Sequence, residues 1–199
     1  MMKKSNISYT DREGMIATSF LIIYLLFSYV MVYWTKTISN QLLSRENMMI
    51  NVLMYVIPCL IIVVMILYKE SSLKTIGIGK DSSIWLLGLT ILSLVFYTQN
   101  IGLKILLVVI SEEIIFRGYA AGRLKASYGR VGGILLAGVI LGLVYSLIPL
   151  VNQAITVFEL MSYIGLGMIT QLILQLIYQR FGNIIISIAF HSSLLFFIL

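Results

Sequence analysis

The amino-acid sequence predicts an all-α fold, a polytopic integral membrane helix bundle of about seven transmembrane helices. Three observations lead to it. Of the 199 residues, 60% are hydrophobic and only 11% are charged, and the mean hydropathy is +1.01, a composition of membrane proteins and not of soluble domains. Apolar runs of span length recur along the whole chain, separated by short polar segments. The basic residues are segregated among those segments.

The runs fall near 15–34, 49–68, 84–99, 102–124, 131–149, 156–179 and 183–199. A hydrocarbon layer about 30 Å thick needs about 20 helical residues, so the third and seventh runs are short and are expected to tilt little or to be partly re-entrant. The first run has no small-residue cleavage site before Trp34 and is expected to stay in the membrane as a span. Cys59, the only cysteine, sits beside Pro58 in the second run; it has no partner for an intramolecular disulfide and reads as a packing residue. The stretches 69–83 and 125–130 read as polar connectors, and no internal repeat or long linker divides the chain. A single structural domain is expected, with residues 1–83 as an N-terminal two-span segment and 84–199 as the membrane core.

A net charge of +6 could point to nucleic acid, but its distribution has a topological explanation. With the N-terminus in the cytoplasm, the cytoplasmic segments hold Lys3, Lys4, Arg12, Lys69, Lys74, Lys80, Arg123, Lys125, Arg130 and Arg180, while the opposite side holds Lys36, Arg45 and Lys104. Ten against three is a positive-inside bias. This charge is therefore expected to meet the lipid bilayer and not nucleic acid.

The most informative segment is Ser111 to Tyr119, which sets Glu112, Glu113 and Arg117 inside an apolar stretch. An ionisable group costs about 2.5 to 3.5 kcal/mol at the centre of a bilayer on insertion scales, so such groups face a protein interior or wet cavity and mark working sites. On a helix Glu113 and Arg117 are four apart with the acid first, the favourable order for a side-chain pair. Glu112 points about 100° away without an equally good local partner, which suits a general base, with Glu113 and Arg117 as the orienting pair.

Depth adds a further candidate. Glu112 lies about 15 Å into its span, near the midplane, and His191, the only histidine, lies about 12 Å along the last span. Both fall in one layer. No cofactor or metal is expected: a catalytic zinc needs three protein ligands, and the chain has one His, a distant Cys and no HExxH. Ser146, Ser192 and Ser193 lie in spans, but no GxSxG or serine-lysine arrangement accompanies them. Gly138 and Gly142 form a GxxxG that permits close helix contact, by packing against the site helix or by dimerisation. Gln171 and Gln175 share a face and are expected to hydrogen-bond to a neighbouring helix, whereas Glu159 lies near the outer end of its span.

Glu112-Glu113-Ile-Ile-Phe-Arg117 resembles the EExxxR motif of the CPBP family, which takes in CAAX prenyl endoproteases and bacterial bacteriocin-processing or self-immunity proteins, and Phe190-His191 is similar to the start of its C-terminal HxxxN or HxxxD motif. The likeness covers roughly residues 84–199. It implies a glutamate-based intramembrane peptidase acting on a membrane-embedded peptide or protein partner, with Glu112 as the base, Glu113 and Arg117 orienting it and His191 at the scissile amide, and a bacterial plasma membrane as location. Two positions depart from the pattern: Tyr145 stands where the FxxxH motif has histidine, and Leu195 where the last motif has Asn or Asp. A tyrosine hydroxyl donates a hydrogen bond but is a poor proton acceptor at neutral pH, so Tyr145 is assigned to the site as a donor. The Gly142 to Ser146 run with a retained His191 is similar to the lysostaphin-resistance protein A branch, whose members act as scaffolds for cell-wall enzymes. An active peptidase and a silent scaffold both remain open at the level of sequence.

Overall fold

The computed structural model describes residues 9–39, 50, 52–70 and 101–198. In chain order the elements are α1 (Tyr9–Ser39), π1 (Val52–Val56), α2 (Ile57–Glu70), α3 (Ile101–Glu112), π2 (Glu113–Ala121), α4 (Gly122–Asn152), α5 (Val157–Phe181) and α6 (Ile184–Ile198). There is no strand among the described residues. In a solvent that offers no hydrogen bonds, a helix satisfies its backbone within itself, which is why these apolar runs adopt it. Among the described residues three helical stretches are long and apolar enough to cross a membrane: Arg12–Ile38, Leu106–Asn152 and Val157–Phe181. Leu53–Lys69 and Ile184–Leu194 are shorter apolar helices. The expected third span, 84–99, lies outside the described residues, as does the connector beyond 70, so the count of seven remains an expectation from sequence.

The stretch 125–130, expected as a polar connector, is helical instead, and the chain reverses at a single residue. Gly129 adopts φ 73° and ψ 172°, a conformation that a side chain strongly disfavours and glycine accepts. A Cβ on Gly133 would lie 2.8 Å from the carbonyl carbon of Leu124, whereas residues nine apart on one straight helix are about 13 Å apart. The 47 residues of Leu106–Asn152 therefore fold back on themselves.

The GxxxG glycines serve the contact between α4 and α5. A Cβ on Gly142 would sit 2.5 Å from Cα of Ile164, and one on Gly167 would sit 2.3 Å from N of Gly142, so the two backbones touch as small residues allow. The motif is filled within the chain, and its partner is α5 and not the site helix. Thr156 and Glu159 open α5 with a reciprocal capping box: Glu159 N donates to Thr156 Oγ1 at 3.2 Å and Thr156 N donates to Glu159 Oε2 at 2.7 Å. Gly182, at φ 63°, closes it.

Contacts of basic side chains define two ends of the bundle. At one, Glu13 of α1 pairs with Lys69 of α2 and, at 3.4 Å, with Arg123 of α4. At the other, Lys36 Nζ donates to the carbonyls of Val151 and Asn152, placing a cation on the negative end of α4. Gln171 and Gln175 are buried, but both amide atoms of Gln171 and Oε1 of Gln175 make no hydrogen bond among the described residues. For these three atoms the expected interhelical bonds are absent among the described residues.

Candidate active site

Glu112 ends α3 and Glu113 begins π2, so the two carboxylates straddle the point at which the helix widens. A π-turn is rare, and such turns recur at functional sites. Here it lies at the centre of the bundle: α1, α2, α4, α5 and α6 all pack on π2, and all nine of its residues are buried. The apolar members Ile115 and Phe116 join the core, with Phe116 edge-on to Tyr24 of α1 at 6.1 Å between ring centroids. The polar members face inward with them.

Around Glu113 three groups converge. Arg117 Nη1 lies 3.0 Å from Oε1, His191 Nδ1 lies 2.8 Å from the same oxygen, and Ser187 Oγ donates to Oε2 at 2.5 Å. The Arg117 pair is one of charge and distance; none of its three guanidinium nitrogens makes an aligned hydrogen bond among the described residues. Glu112 is held differently. Tyr145 donates its hydroxyl to Oε2 at 3.2 Å, and His191 Nε2 stands 3.8 Å from that oxygen, beyond direct hydrogen-bond reach. Oε1 of Glu112 is buried and makes no hydrogen bond among the described residues.

Glu112, Glu113, Arg117, Tyr145 and His191, the five residues singled out in the sequence, thus lie in one cluster. Glu112, Glu113, Arg117 and His191 are each at most 2% exposed, while Tyr145 is half-buried. Charge balance follows from that burial, because an uncompensated ion far from water is costly. The Arg117 guanidinium offsets the Glu113 carboxylate. Since Nδ1 of His191 faces that carboxylate it carries a hydrogen, and Nε2 is the nitrogen turned toward Glu112; the assignment rests on the bonding network.

Ser187 is the site residue that sequence reasoning missed. It stands four residues before His191 on α6, and that spacing puts both on the face turned to Glu113. Two of the three serines weighed as nucleophiles are engaged elsewhere: Ser146 donates to the Leu143 carbonyl at 2.7 Å and Ser193 to that of Ala189 at 2.9 Å. Ser192 is buried and its hydroxyl makes no hydrogen bond among the described residues. No group of three His, Cys, Asp or Glu among the described residues is arranged to hold a metal ion. What the cluster offers is proton transfer between a carboxylate and an imidazole, with a phenol as donor.

The sequence profile of the family described as type II CAAX prenyl endopeptidase Rce1-like matches residues 94–197. That span includes Glu112 to Arg117, Tyr145, Ser187 and His191, and α1, π1 and α2 precede it. No curated protein and no solved structure matches the chain. The match covers more than half of the sequence and agrees with the EExxxR resemblance: this chain, an integral membrane protein, belongs to the type II CAAX prenyl endopeptidase Rce1-like family.

Proposed function

We propose that the protein is an intramembrane endopeptidase of CPBP type that hydrolyses a peptide bond in a membrane-embedded substrate, with Glu112 as general base. The observation that carries this reading is the asymmetry of Glu112: Oε2 is held by Tyr145, and buried Oε1 is left without a protein partner among the described residues. A water on Oε1 gives up a proton to it as the oxygen attacks the carbonyl carbon, forming the C–O bond and moving the carbonyl π electrons onto oxygen. His191, in its protonated form and steadied at Nδ1 by Glu113, donates through Nε2 to that oxyanion, and the Tyr145 hydroxyl, released from Glu112 once that carboxylate has taken the proton, turns to donate to it as well. Collapse re-forms the carbonyl, breaks the C–N bond, and returns the proton from Glu112 to the leaving amine. Glu113, Arg117 and Ser187 keep the imidazole in place without touching the reacting atoms.

The substrate is proposed to be a bacteriocin-type or other membrane peptide, and the role processing or self-immunity in a bacterial plasma membrane, with the N-terminus in the cytoplasm. Incubating the purified protein with membrane peptides and sequencing new termini, for wild type and Glu112→Gln, tests the reaction. New termini in both, or in neither, contradict it.

One observation favours a second reading, a catalytically silent scaffold or regulator of a partner such as a cell-wall enzyme. Tyr145 supplies a phenol where the family pattern has an imidazole, and Leu195 supplies no polar group one turn beyond His191. Losing one oxyanion donor alone costs about 10² to 10³ in turnover. Under that reading Glu112→Gln leaves the cellular role intact.

A further inference from the structure

The basic residues at the Glu13 end of the bundle fall into two groups that differ in how their charge is met. Lys69 and Arg123 share the carboxylate of Glu13. Arg130, just beyond the Gly129 reversal within α4, and Arg180, in the last turn of α5, instead line a cavity of about 450 Å³ with Leu176 and Gln179, and among the described residues no carboxylate lines it. Its volume is within the range of about 300 to 1,000 Å³ of small-ligand sites. Arg130 Nη2 donates to Gln179 Oε1 at 2.8 Å, and both residues line the cavity, so the bond ties α4 to α5 there.

The wall below is apolar and continuous. Leu176 lies one turn from Gln179 and Arg180, and Ile173, Leu172 and Ile169 extend the same α5 stripe at helical spacing, each between 39% and 59% exposed. Val131 and Leu135 of α4 are exposed beside the first turns. A ligand that matches carries an anion at one end and a hydrocarbon chain running along the helix. Guanidinium pairs suit the oxygens of a phosphodiester, and basic pockets between helices at the membrane surface hold anionic headgroups.

The geometry points to a binding site for one anionic glycerophospholipid, its phosphate between Arg130 and Arg180 and an acyl chain along Leu176, Leu172 and Ile169. The site is separate from the Glu112 cluster, and the inference stands whether or not the protein cleaves peptides.

Native mass spectrometry of the purified full chain in detergent tests it, with equal amounts of phosphatidylglycerol and phosphatidylcholine added. Each arginine near a membrane surface is worth about a fivefold preference for anionic lipid, so wild type should retain phosphatidylglycerol roughly thirtyfold over phosphatidylcholine. The double variant Arg130→Gln/Arg180→Gln should bring the ratio near one, and each single variant should lose about fivefold. Since all the exchanged side chains are exposed, the variants should fold; if the double variant does not, the single variants decide. An unchanged ratio in the variants, or equal retention of both lipids by wild type, overturns the site. An adduct of added inorganic phosphate that needs both arginines, without a phosphatidylglycerol preference, assigns a free-anion site and overturns the lipid.

Discussion

Tyr145 of α4 donates its hydroxyl hydrogen to Oε2 of Glu112, at 3.2 Å, across the junction where α3 widens into π2. The bond fixes one oxygen of the carboxylate and turns the other inward. It also marks the position at which this chain departs from its family's histidine pattern, so Tyr145 separates the peptidase from the scaffold.

If Glu112 is the base, Tyr145→His should raise cleavage by about tenfold to a hundredfold, since a positioned imidazole adds proton transfer that a phenol lacks. Tyr145→Phe should lower it by about 10² or more through the lost donor. Rates of new-terminus formation at equal protein concentration measure both, and a faster Tyr145→Phe contradicts the assignment.

Arg117→Ala removes the guanidinium 3.0 Å from Glu113 and leaves that carboxylate buried without its counter-charge. Breaking a buried pair in this way costs about 3 to 5 kcal/mol, so membrane abundance should fall several-fold. Immunoblots of membrane fractions give the level, and an Arg117→Ala protein as abundant and heat-stable as wild type would show the pair to be dispensable.

The crossing of α4 on α5 should not tolerate a side chain at Gly142 or Gly167, where a Cβ meets backbone at 2.5 and 2.3 Å. Valine at either position should cost at least about 1 to 3 kcal/mol by overpacking. Thermal unfolding in detergent reads this, with Thr156→Ala as a milder control at about 1 kcal/mol for the lost cap.

Much of the site was legible because charge is conspicuous in an apolar sequence. Glu112, Glu113 and Arg117 announce themselves by cost alone, and His191 by lying at the same depth as Glu112. Ser187 did not, because serine is cheap in a helix and only its spacing from His191 connects it to the carboxylates. The π-turn has no composition of its own, and the five helices that pack on it come together only in the fold. Gly129 reads as an ordinary connector glycine until its positive φ is known, and the polar run 125–130 concealed a reversal made by one residue. The GxxxG was visible in sequence, but its partner was not, since Gly167 shows its role only beside Gly142.

The most direct test of the central claim is the appearance of new peptide termini when wild type and Glu112→Gln, reconstituted at equal amounts in lipid nanodiscs, are incubated with a panel of single-span peptides. The amide keeps the side chain's volume and loses the base. The account predicts termini with wild type and none with Glu112→Gln, both proteins unfolding at similar temperatures. Equal cleavage by the two, or a wild type that cleaves nothing in the panel while Glu112→Gln retains the full cellular phenotype, would contradict it.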